Sequence, residues 1–143
     1  MKPRKRQPKR RGFTLLEVAI ATLIVAIGIT ALLTASASCT KTNAAGQELT
    51  NAAFLAQEIR EYCAGLNPSD LSLASEYSPP VDASLNSISG MSNWKQVITL
   101  QWKDPNGLAD SATETDIRYV RVTVQHYDAN VLSTSWLVTK APE

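Results

Sequence analysis

Lys9-Arg10-Arg11-Gly12-Phe13-Thr14-Leu15-Leu16-Glu17-Val18-Ala19-Ile20 is the stretch on which the reading of this chain turns. To its left the chain is basic: Lys2, Arg4, Lys5, Arg6, Lys9, Arg10 and Arg11 are seven of its fourteen Lys and Arg residues, and none of its thirteen acids lies among them. To its right, Phe13 to Leu33 holds a single ionisable side chain, Glu17. A helix needs about 20 apolar residues to cross the hydrocarbon of a bilayer, and this run supplies them. Positive charge at one flank keeps that end on the cytoplasmic side, so the rest of the chain is expected beyond the membrane. A basic arm alone also suits nucleic acid. The apolar span directly behind it argues against that use, and nucleic acid is not an expected partner.

The formal net charge of +1 hides this asymmetry. Past Gly12 only seven bases face the thirteen acids, a basic tail on an acidic body. A chain of 143 residues provides for one modest domain. Residues 1–12, with Pro3 and Pro8, are expected to be a leader outside the fold. Residues 13–33 are expected to form a transmembrane helix, and 34–64 its amphipathic continuation. Residues 65–143 are expected to form a head of loop plus sheet.

No proline interrupts the segment from Phe13 to Cys63. Over its second half Leu49, Ala52, Ala53, Ala56, Ile59 and Cys63 recur at spacings of three and four, which predicts a narrow apolar stripe. Gly65 with Asn67-Pro68 is the stop signal. A helix over 14–64 would be about 75 Å long, too long for a small domain to bury. Ser, Asn and Pro dominate 66–92, which predicts irregular loop with a short turn of helix. Three alternating runs follow, at Trp94–Lys103, Ile117–Tyr127 and Val131–Thr139. Asp128-Ala129-Asn130 is short enough to join the last two as a hairpin. The expectation is α+β: a long helix packed on a three-stranded antiparallel meander, with room for an added edge strand. The stripe from Leu49 to Cys63 is the expected cover for the sheet.

The junction resembles the cleavage and methylation motif of type IV pilins and type II secretion pseudopilins. In that family a basic leader ends in Gly, Phe or Met follows, and a Glu stands five residues after the Gly. Gly12, Phe13 and Glu17 match, with Lys9, Arg10 and Arg11 as the leader bases. The resemblance covers the first ~35 residues closely and the remainder only as architecture. It implies cleavage after Gly12 by a prepilin peptidase/methyltransferase and N-methylation of Phe13. It also implies a filament core formed by residues 13–33, with a charge pair between Glu17 and the freed ammonium of Phe13. Thr14 would add a minor hydrogen bond. The partners implied are other pilin or pseudopilin subunits and an inner-membrane assembly platform. The location implied is the bacterial inner membrane, N-terminus cytoplasmic and head periplasmic, and then a filament.

In one respect the chain departs from many major pilins: no proline stands about twenty residues into the helix, where Gly28 is the nearest weak point. The C-terminal cysteine pair common in major pilins is also missing. Val18-Ala19-Ile20-Ala21, Ala26-Ile27-Gly28 and the Leu55-Ala56-Gln57-Glu58-Ile59 run instead resemble minor pilins and minor pseudopilins. The expected role is that of an initiating structural subunit, not an enzyme and without cofactors.

Other signals carry less. Cys39 and Cys63 would lie about 36 Å apart on one helix, too far to bridge. His126, without an obvious partner, is expected to be solvated or packed on a strand. Asp104, Asn106 and Asp110 gather oxygens but lack the spacing of a calcium loop, and Pro105-Asn106-Gly107 is itself a turn former. A lipoprotein modified at Cys39 would need Leu or a similar residue where Ser36 stands. A single-pass binding module that never assembles, or an anchored enzyme, are the remaining rivals. No catalytic arrangement is visible for the last of these.

Overall fold

A computed structural model describes residues 12–140. The chain forms two compact units, one up to Asn43 and one from Ala44 onward. One helix, α1 (Leu15–Ala64), contributes to both. It begins where Thr14 caps it and ends just before Gly65. Within it Thr22, Thr30, Thr34, Thr40, Thr42 and Thr50 turn their hydroxyls back onto carbonyls three or four residues earlier, so these polar groups are satisfied on the helix itself.

In the second unit a 3₁₀ turn (Pro68–Asp70) leads to β1 (Glu76–Tyr77), β2 (Trp94–Lys103), β3 (Asp110–Ser111), β4 (Ile117–His126) and β5 (Ala129–Thr139). The sheet runs β1-β2-β4-β5, with β3 also on β2, and every pairing is antiparallel. The fold is therefore α+β, a long apolar helix with a five-stranded antiparallel sheet. The three long strands are the expected meander, and β1 and β3 are additions of two residues each.

Alternation places Trp94, Gln96 and Ile98 of β2 and Val120, Val122 and Val124 of β4 inward. Against them α1 buries Ala52, Leu55, Ala56, Ile59 and Cys63. The expected stripe is thus corrected: Leu49 is 51% exposed, Ala53 is exposed, and Leu55 is fully buried instead. At about 100° per residue Ala53 points well away from the line through Ala52, Ala56, Ile59 and Cys63. The helix is not the only cover either. Leu71, Pro80 and Val81 of the connecting segment are buried in the same core.

The last hairpin also differs from its expected form. Its connection is Tyr127-Asp128, with φ of 48° and 62°, and β5 starts at Ala129 rather than Val131. Two successive positive φ values make the tight turn whose twist suits a hairpin. Neither residue is a glycine, and contacts hold them there. The Tyr127 amide donates to the Asn93 carbonyl (3.0 Å), Asn93 Nδ2 to Tyr127 Oη (2.9 Å), and Lys95 to Asp128 (2.7 Å). The residue gained by the early start is absorbed at Val131, which has no opposite number between Val124 and Gln125.

Candidate processing and assembly site

The first helical turn is built by Thr14-Leu15-Leu16-Glu17. The Glu17 amide donates to Thr14 Oγ1 (3.3 Å) and to the Thr14 carbonyl (3.0 Å). Thr or Ser followed three residues later by Glu is the sequence form of a helix start, and a carboxylate in the first turn complements the helix dipole. Thr14 therefore has a definite role, capping the helix, where the sequence suggested only a minor bond. Gly12 and Phe13 lie just outside the helix and are exposed, Phe13 at 82%. A Cβ built on Gly12 meets nothing. Any need for glycine there is set by what approaches from outside, not by this fold.

Phe13, Glu17 and Ala21 line one shallow groove along the helix, continued by Val25 and Ile29. Phe13 and Glu17, four residues apart in sequence, thus border the same groove. While Gly12 is attached, the α-nitrogen of Phe13 is an amide and carries no charge. Cleavage of the Gly12–Phe13 bond would turn it into an amine four residues before Glu17. The leader bases Lys9, Arg10 and Arg11 lie outside the described residues.

Around this start the helix is bare. Leu15, Leu16, Val18, Ile20, Leu23, Ile24, Val25, Ile27, Ile29, Leu32 and Leu33 each keep half or more of their surface exposed. The segment is long and apolar enough to cross a membrane, and none of its apolar window is buried in the protein. A soluble monomer seldom exposes an apolar patch of this extent; it marks contact with lipid or protein.

Elsewhere the structure sorts the minor signals. His126 has a partner that the sequence did not reveal: Nδ1 meets Glu48 Oε1 at 2.5 Å, and the ring stacks on Trp94 with centroids 4.3 Å apart. Glu48 lies about four residues before Ala52 on the buried stripe, which is what carries it to the sheet. Arg118 was also missed. Its inward position on β4 puts the guanidinium over Trp102 (4.6 Å), donating to the carbonyls of Pro68 (3.0 Å) and Leu71 (2.8 Å). The parity it shares with Val120 was the available signal. Asp104 accepts from the backbone and side chain of Asn106, and Asp110 pairs with Lys103. Among the described residues no three His, Cys, Asp or Glu side chains converge as metal ligands would. Cys39 is an exposed thiol and Cys63 a buried one. Burial pushes the Cys63 thiol up to about 11, with Arg118 opposing the rise.

Residues 7–33 match the family model described as the prokaryotic N-terminal methylation motif. No curated protein and no solved structure matches the chain. The motif is that of type IV pilin-like and pseudopilin subunits, a structural rather than an enzymatic family. It implies processing by prepilin peptidase and assembly with other pilin subunits, and with the apolar helix it implies anchoring in the membrane.

Proposed function

We propose that this chain, which carries the prokaryotic N-terminal methylation motif, is the precursor of a minor, initiating subunit of a type IV pilus-like filament. The leader is removed after Gly12, Phe13 is N-methylated, and the subunit assembles through the apolar part of α1. The observation that carries this reading is one carboxylate, Glu17, one helical turn from the cleavage point in an otherwise apolar, uncovered span.

The chemistry is a sequence of charge changes. The leader bases, Lys9, Arg10 and Arg11 among them, hold the junction at the anionic cytoplasmic surface of the inner membrane. A glycine before the cut offers no Cβ to a narrow peptidase site. Cleavage deletes the basic run, and with it the charge that opposes drawing the helix out of the bilayer. It also creates a cation at Phe13. In a low-dielectric filament core a lone carboxylate or a lone ammonium is costly, and a pair of them is much less so. Pairing between subunits therefore fixes axial register. The uninterrupted helix and the missing C-terminal cysteine pair support a minor subunit by resemblance. A minor pseudopilin of a type II secretion system has the same subunit plan and is the nearest alternative.

Glu17→Ala is expected to be cleaved and inserted but to be absent from sheared filaments, compared with wild type by immunoblot. Incorporation at the wild-type level would remove the pairing role. Gly12→Val is expected to leave the full-length precursor in the membrane. Mass analysis of wild-type protein should find N-methyl-Phe at the mature terminus, and a retained leader would favour the non-assembling anchored module.

A further inference from the structure

The two sides of the sheet are finished differently. Along the outer side of β2, β1 pairs at Gln96 and Val97, Ser75 accepts from the Ile98 amide at 2.8 Å, and β3 pairs at Trp102 and Lys103. On the other side β5 is the last strand, and no strand among the described residues pairs with its outer edge. The Lys140 amide donates to the Asp116 carbonyl at 3.0 Å, which is the β4 side. Backbone direction alternates along a strand, and the β4–β5 register is regular from Thr139 back to Leu132. Val138, Trp136, Thr134 and Leu132 therefore turn their amides and carbonyls toward β4. Thr139, Leu137, Ser135 and Ser133 turn theirs outward, where no backbone bond among the described residues meets them. Free edges of this length are normally blunted by charge or proline. Ala129–Thr139 contains neither. Beside this edge an open cleft of about 300 Å³ lies between Trp136–Thr139 and Arg60, Cys63 and Ala64 of α1. Arg60 is exposed, and no carboxylate among the described residues pairs with it.

We propose that β5 is a docking edge for an extended segment of a different protein, added to the sheet as one further strand, with apolar residues on its core side and a carboxylate that reaches Arg60. The chemistry of the occupant follows from what the edge leaves open. An extended backbone satisfies all the outward amides and carbonyls of Ser133, Ser135, Leu137 and Thr139 at once. On the core side Leu132 and Trp136 are half-buried, packed against the core but not covered by it. Side chains of an added strand would lie over them, so those positions are apolar. A core-side residue level with Trp136 and Val138 stands at the mouth of the cleft, and an acid there meets the unpaired guanidinium in a charge-assisted hydrogen bond. A second copy's β5 would bring no carboxylate to Arg60, because Ala129–Thr139 contains no acid. Charge therefore favours a different protein. Neither leader cleavage nor filament assembly enters this argument, so the docking edge stands or falls independently of the filament reading.

The test uses the full chain in lipid nanodiscs and a capped, dye-labelled octapeptide in which threonine alternates with valine and one valine is replaced by glutamate. Fluorescence anisotropy should show saturable binding that empty discs do not give. Ser135→Pro removes an outward amide and leaves the bonds to β4 in place, since proline is tolerated on an edge where the N–H faces solvent. It should weaken binding about tenfold. Wild-type protein gives the same test without any substitution: of two peptides N-methylated on every second residue, in the two alternations, the one whose methyl groups face β5 should lose binding and the other should keep it. Arg60→Ala should weaken the glutamate peptide about fivefold and leave a glutamine version unchanged. Absence of saturable binding, or equal binding of both methylated peptides, would overturn the proposal. Equal effects of Arg60→Ala on the glutamate and glutamine peptides would overturn the acidic partner. A dimer formed without peptide and dissociated by Ser135→Pro would also overturn it, because a second copy would then occupy the edge.

Discussion

Gln96 has no exposed surface, yet its amide is fully used. Oε1 accepts from the Val81 amide (2.9 Å), and Nε2 donates to the carbonyls of Leu55 (2.9 Å) and Val81 (3.1 Å). One side chain thus ties strand, connecting segment and helix together. Gln96→Leu keeps the volume and strands the Val81 amide, so it should lower unfolding free energy by about 2 kcal/mol in a urea titration. Gln96→Glu should do more damage, because it buries a charge. Cys63 gives a second test. A thiol raised from 9.0 to about 11 in the folded protein loses its proton first in the unfolded chain. Its contribution is intact below pH 9 and is lost as pH rises toward 11. The stability difference between wild type and Cys63→Ala should shift against wild type across that window. In native protein at pH 8 a maleimide should label Cys39 and spare Cys63.

α1 shows how far periodicity reaches at the scale of an element. Spacings of three and four located the helix and its amphipathic half, but several alanines left the stripe's centre ambiguous. The sheet resolved it toward Leu55 and Ile59, both fully buried. Leu55→Ala should therefore cost about 2–5 kcal/mol. Leu49→Ala, at a half-exposed position, should stay within about 0.5 kcal/mol. The two are compared by the same denaturation. The hairpin carries a similar lesson: Asp128-Ala129-Asn130 has turn composition, but Tyr127-Asp128 makes the turn. Asn93 and Lys95, on a strand start remote in sequence, hold Tyr127 and Asp128 in left-handed conformations that local preference would not select.

At the scale of the whole molecule, apolar surface is divided between two uses. From Ala44 onward much of it is buried in a sheet-and-helix core; before that it is open, on a span long and apolar enough to cross a membrane. Ile24→Lys, in the middle of that span, should meet an insertion penalty of about 3 kcal/mol. It should shift the protein from the membrane pellet to the supernatant on alkaline extraction. The amino-acid order alone determined this division, because hydropathy, charge at the flank and the spacing of Gly12, Phe13 and Glu17 are properties of a linear string. It determined the three long strands for the same reason: alternation is local. What only the tertiary structure decided are meetings between distant residues, such as Glu48 with His126, Arg118 with the carbonyls of Pro68 and Leu71, and Gln96 with Val81. It also decided which edge of the sheet is left open. Each depends on helix rotation and strand order, which follow from packing the whole core at once and leave no trace in any short window of sequence.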